Sequence, residues 1–117
     1  MPVTQFATGL AAEQLACNAL MRDGFNVLGR RMRTAAGEID AVVERDGLTV
    51  FVEVKARKDL ATAAASLQPR QQARLMGAAE ILLSQNPHWG KAGVRFDVMA
   101  VDRSGQVRRI ADAFRMN

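Results

Sequence analysis

Residues Gly37 to Arg57 read GEIDAVVERDGLTVFVEVKAR, two runs of alternating character on either side of Asp46-Gly47. That dipeptide suits a two-residue hairpin turn, because Gly accepts positive φ without strain and Asp tolerates it. A β-hairpin follows, with Arg45 opposite Leu48. This register places Ile39, Ala41 and Val43 opposite Val54, Val52 and Val50, so one face of the ribbon is apolar. A slip of one residue sets the same residues against charged ones, and the pattern therefore supports the register independently of the turn. The other face follows: Glu38 opposite Lys55, Asp40 opposite Glu53, Val42 opposite Phe51. Like charges directly opposite each other destabilise a sheet. A divalent cation, a shared proton or solvent screening are the ways to offset Asp40 against Glu53. Lys55 lies two residues beyond Glu53 on the same side. Two carboxylates with a lysine beside them suit phosphodiester hydrolysis. They also suit the solvated face of an ordinary ribbon.

The chain around this hairpin has 117 residues, 49% of them hydrophobic and 24% charged. That is the length and composition of one globular domain, taken here as residues 1–117, with core enough to need no covalent staple. Cys17 is the single cysteine, which excludes an internal disulfide and a thiolate metal site. The start of the sequence lacks the pattern of a secretory signal, and no apolar run reaches the length of a membrane span. A cytoplasmic protein away from membranes is expected. The net charge of +4 and pI near 10.2 favour a polyanionic partner. Thirteen of the sixteen basic residues are Arg, a type suited to bidentate phosphate contact.

Upstream, Ala12, Leu15, Ala16, Ala19 and Leu20 recur at helical spacing, predicting a helix from about Gly9 to Asp23, capped by Thr8 and stopped by Gly24. Glu13 borders its buried stripe and can reach a site on the sheet, or extend to water. Phe25 to Met32 is a strand candidate leading into Arg30, Arg31 and Arg33, and residues 34–37 turn the chain into the hairpin. Downstream, the small-residue run Ala61 to Ala65 reads as a loop over the charged end of the hairpin. Pro69 suits the first position of a second helix, whose apolar stripe is Leu75, Met76, Ala79, Leu82 and Leu83, with Asn86-Pro87 as its stop. Gln72 sits at helical spacing from that stripe, and Arg70 and Arg74 share one face. His88 reads as a surface residue and Trp89 as a cap on the core. Val94 to Val101 is a buried strand and Gln106 to Ile110 a further one, with Ala113-Phe114 as an anchor. The order α-β-β-β-α-β-β predicts an α/β fold, one mixed sheet sandwiched between helices.

Glu13, Gly37-Glu38-Ile39-Asp40, Val52-Glu53-Val54-Lys55 with Arg57, Arg70-x-Gln72-x-Arg74-Leu75 and Arg95-Phe96-Asp97-Val98 together resemble the YraN family of small bacterial proteins over nearly the whole chain. The Asp and the Glu-x-Lys also resemble the PD-(D/E)xK superfamily of restriction-endonuclease-like nucleases. The resemblance implies a restriction-endonuclease-like fold and a divalent-metal-dependent, endonuclease-like protein acting on phosphodiester bonds of DNA, branched or single-stranded. Asp40, Glu53 and Glu13 would hold Mg²⁺ or Mn²⁺, Lys55 would orient or activate water, and Gln72 would contribute from the second helix. Arg30, Arg31, Arg33, Arg57, Arg70 and Arg74 are the expected nucleic-acid contacts, DNA ahead of RNA, and a homodimer or protein partner is a further expectation. The alternative is an inactive nucleic-acid-binding or protein-interaction module, since a scaffold of this kind does not entail catalysis. Gln71 stands where the family usually has Lys, which bears on phosphate contact from that position.

Overall fold

In the computed structural model, which describes residues 10–115, five strands form one mixed sheet in the order β1-β2-β3-β4-β5. The elements are α1 (Leu10–Arg22), β1 (Asn26–Thr34), β2 (Gly37–Arg45), β3 (Leu48–Ala56), α2 (Leu60–Ala64), α3 (Pro69–Gln85), β4 (Val94–Val101) and β5 (Val107–Phe114). The expected order of the main elements is present. The Thr8 cap falls outside the described residues.

β1, β2 and β3 run antiparallel in sequence, whereas the crossover through α2 and α3 returns the chain as β4, parallel to β3. Each face of the sheet takes one long helix. α1 presents Ala16, Cys17 and Leu20 to Ala41, Val43, Val50, Val52 and Met99. α3 presents Leu75, Ala78, Ala79 and Leu82 to Ile39, Val42, Phe51 and Phe96. β3 and β4 are therefore covered on both sides, which accounts for the near-continuous apolar run of Val94 to Val101.

The expected hairpin register holds from Arg45↔Leu48 to Ala41↔Val52. Beyond that point the strands part, and three expectations are corrected. Asp40 and Glu53 are not ladder partners, because the Asp40 carboxylate inserts into the ladder and Oδ2 accepts the Val54 N–H at 2.8 Å. Ile39 does not share a face with Ala41 and Val43, since it packs under α3 while they pack under α1. Glu38 pairs with Arg33, Nε to Oε2 3.3 Å, rather than facing Lys55.

Two further segments differ from expectation. Residues 60–64 are helical because the Asp59 side chain accepts from the Thr62 N–H at 2.7 Å and Ala63 is buried beneath. Such a cap satisfies an otherwise orphaned donor. β5 extends to Phe114, whose ring stacks on Phe96 at 4.7 Å between centroids. A register shift in β5 is accommodated by Asp112 at φ 54°, so the strand continues past Ile110. Trp89 packs against Phe51 as a partial lid on the core, and His88 is exposed, as expected of both.

Candidate functional site

The parting of β2 from β3 opens a concavity of about 230 Å³ lined by Ala12, Glu13, Asp40, Glu53, Val54, Lys55, Ala56 and Arg57. Three elements supply its chemistry. α1 places Glu13 in its first turn, one residue from the buried Ala12, so the carboxylate is carried toward the sheet; the residue is only 7% exposed. β2 supplies Asp40. β3 supplies Glu53 and Lys55, which share a side because strand side chains alternate with period two.

The charges are arranged with incomplete compensation. Lys55, also 7% exposed, stands 3.4 Å from Glu53, Nζ to Oε2. Burial pushes the Glu53 carboxyl up, and the charge and hydrogen bonding of Asp40 push it further, to about 7, against the pull of Lys55. Glu13 is raised as well, first by burial and then by Asp40, with Arg31 pulling the other way. Its Oε1 is buried and has no hydrogen-bond partner among the described residues. Asp40 is the best anchored of the three, through Val54 N–H.

An orphaned carboxylate oxygen and a raised carboxyl in one hollow are what a bound cation relieves, because opposite charge favours the ionised form. The donors are hard oxygens, the kind that Mg²⁺ and Mn²⁺ take. Among the described residues no three His, Cys, Asp or Glu side chains already converge as a metal cage. Mg²⁺ is commonly held by one or two carboxylates, with waters and substrate phosphate completing its shell. The residues present fit such an ion, with Asp40 and Glu53 as direct donors and Glu13 beside them.

Not every expected site residue arrives here. Arg57 lines the hollow, its Nη1 turned to its own neighbour Ala56 O at 2.7 Å. Arg31 reaches Glu13 at 3.8 Å and Arg30 reaches Gln14 at 2.9 Å. Arg33 is at the far end of β1 with Glu38. Arg70 and Arg74 line a separate hollow at the start of α3 with Gln68, Pro69 and Gln71. Arg74 lies across Gly37 so closely that a Cβ there would come within 2.7 Å of its Cγ, which ties that basic end of α3 to the β1–β2 turn. Gln72 is half-buried and lines neither hollow; it is not brought to the carboxylates. The hydrogen bond that Val54 N–H donates to Asp40 has one signal in the sequence, an Asp inside a strand, where the residue is disfavoured.

Fold and site together define a small basic α/β protein that carries a carboxylate–lysine centre where two neighbouring strands separate. Residues 12–101 match the model of the family described as "Uncharacterised protein family UPF0102", and the chain belongs to that family. It is 57% identical over 109 residues to a UPF0102 protein of Granulibacter bethesdensis, covering 93% of this chain and 69% of that one. A UPF0102 protein of Azorhizobium caulinodans is 46% identical, covering 94% of this chain and 84% of its own length. One from Rhodopseudomonas palustris is 43% identical, with 96% and 86% covered. Among the described residues no helix is long and apolar enough to cross a membrane.

Proposed function

We propose that this protein is a divalent-cation-dependent phosphodiesterase of the PD-(D/E)xK type that cuts DNA internally. The observation that supports the reading best is the meeting of Asp40, Glu53 and Lys55 in one hollow, with a buried oxygen of Glu13 beside them that has no hydrogen-bond partner among the described residues. A Mg²⁺ or Mn²⁺ ion, when bound, would polarise the phosphate and lower the pKa of a bound water. Asp40 and Glu53 would hold that ion, and Asp40 would do so without moving, since its other oxygen is fixed by Val54 N–H. Lys55, held by Glu53 at 3.4 Å, would orient the attacking water and offset the charge that develops on the phosphate. Arg57 at the rim and the arginines of β1 and α3 would hold the flanking phosphates, a contact for which the guanidinium fork is well shaped.

The test is cleavage of single-stranded, duplex and branched DNA, with RNA counterparts, by pure protein with Mg²⁺ or Mn²⁺ and with chelator. Cation-dependent cuts that disappear in Asp40→Asn support the reading. Equal cutting by parent and Asp40→Asn removes this site from the reaction. A nucleic-acid-binding module without turnover is the second reading, favoured by the placement of Gln72 outside the hollow. It predicts salt-sensitive gel shifts with no product under any cation.

A further inference from the structure

Consecutive side chains of a strand point to opposite faces, yet Arg30 and Arg31 both reach α1, one to Gln14 and the other to Glu13. The facing strand breaks step at the same level. Ala41 packs under α1 and Ile39, two residues away, under α3. The β1–β2 ladder pairs Arg30 with Ala41 and Met32 with Ile39 but skips Arg31 and Asp40 between them. Arg31 has φ 51°, in the left-handed region that non-glycine residues rarely adopt. Among the described residues, the other non-glycine residues with positive φ are Asp46, in the hairpin turn, and Asp112, in the irregular part of β5. Arg31 turns no corner. Its backbone instead aims the side chain to the side of the sheet where Glu13 and Asp40 stand, and strand irregularities commonly re-aim a side chain in this way beside a site.

The electrostatics give that aim a purpose. Arg31 Nε lies 3.8 Å from Glu13 Oε1, the buried oxygen that has no hydrogen-bond partner among the described residues. That distance is an ion pair and too long for a hydrogen bond. The Arg31 side chain is 50% exposed while that of Glu13 is 9% exposed. The guanidinium therefore offsets the charge of Glu13 while keeping donors open to solvent beside it. A guanidinium so placed can pair with a phosphate once another positive charge serves the carboxylate.

We propose that Arg31 is a positioning residue of the carboxylate site, which balances Glu13 in the cation-free protein and turns to a nucleic-acid phosphate when a divalent cation takes over that charge. This rests on the phosphodiester reading and adds a specific consequence: Arg31 opposes the cation and favours the nucleic acid.

The experiment is calorimetric titration of Mn²⁺ alone into the full chain and into Arg31→Gln, with binding of a fluorescent branched DNA measured in Mg²⁺ over a series of salt concentrations. Arg31→Gln is expected to bind Mn²⁺ about threefold or more tightly, because a positive charge has left the site. The same variant is expected to bind DNA more weakly, with a salt slope lower by about one. Arg31→Gly, which suits the left-handed backbone, is the control for folding and is expected to show the same opposed shifts. A residue that merely supports the strand weakens both, and one that merely contacts phosphate leaves Mn²⁺ binding unchanged; either result, or DNA binding that does not fall, overturns the proposal. A parent protein that takes up no Mn²⁺ overturns the cation reading of the site as a whole, whereas normal uptake with no shift in the variants overturns only the role of Arg31.

Discussion

Asp40 and Asp97 do the same thing to the backbone and end in opposite electrostatic states. Each sits within a strand and accepts a backbone N–H from the neighbouring one where the ladder is irregular, Asp40 from Val54 at 2.8 Å and Asp97 from Asp112 at 2.9 Å. Asp97 is 1% exposed and is held in a bidentate fork by Arg95 at 2.8 and 2.9 Å. Nearly every lone pair of that carboxylate is used. Asp40 faces Glu53 and Glu13, whose carboxyls it pushes up, and among the described residues no arginine fork closes on it. A satisfied buried carboxylate is a structural clamp; an unsatisfied cluster has chemistry left to do. Size does not separate the two regions. The hollow beside Arg95, Phe96, Asp112 and Arg115 is larger, about 430 Å³, but its charges are already paired with one another, Arg95 with Asp97 and Arg115 with Asp112.

The comparison breaks most visibly at Arg95. Arg95→Ala strands a buried charge and is expected to cost about 3 kcal/mol or more, read as a drop in denaturation midpoint at constant m-value. A loss below ~1 kcal/mol means that Asp97 is not the clamp described.

Asp40 is expected to respond differently to two substitutions. Asp40→Ala orphans Val54 N–H, at a cost of about 1–3 kcal/mol. Asp40→Asn keeps an acceptor and removes the repulsion on Glu53, so its stability stays near that of the parent while Mn²⁺ uptake is lost. If both variants lose stability equally, Asp40 belongs with Asp97 as a structural group.

Protons sharpen the contrast. Glu53 has its carboxyl raised from the ordinary 4.5 to about 7, so between those values the folded chain binds more protons than the unfolded one. Stability therefore falls as pH rises through that window, and Glu13 adds in the same direction. Urea titrations from pH 4.5 to 7 are expected to show this decline, and Glu53→Gln to flatten it. Saturating Mg²⁺ is expected to restore stability at the upper end, where the carboxylates are ionised. A decline that survives Glu53→Gln unchanged places the responsible group elsewhere.

The smallest effect is expected at Arg33, whose side chain is 89% exposed. Arg33→Ala is expected to change stability by less than about 0.5 kcal/mol and to lower the salt slope of DNA binding slightly. A large loss of stability would make its pair with Glu38 a fixed part of the β1–β2 hairpin.

The hairpin register from the turn as far as Ala41↔Val52, both long helices with their stops, and the sheet-between-helices arrangement were legible in the sequence because each rests on local chemistry: Asp46-Gly47 for the turn, Pro69 for a helix start, apolar spacing for the buried faces. Strand periodicity alone places Glu53 beside Lys55, whereas the ladder pairing expected to bring Asp40 to them does not form, and Asp40 reaches the hollow by inserting its carboxylate at Val54 N–H. Gln72 shows where spacing misleads, because helical phase sets the face of a residue but not how far along the sheet that face lies. The short helix at Leu60–Ala64 is fixed by the bond that Asp59 accepts from Thr62 N–H and by burial of Ala63; five residues are too few to show an apolar period, although their alanines favour a helix.

By itself the sequence determined which residues carry charge, which faces are apolar and where the chain must turn. Only the tertiary structure decided that β2 and β3 separate beyond the Ala41↔Val52 pair on the side away from the turn, that Asp40 fills the ladder with its own side chain, and that Arg31 leaves the alternation to meet Glu13. These outcomes arise from competition between backbone hydrogen bonds, buried charge and packing across elements distant in sequence, and a periodic pattern encodes only the undisturbed strand.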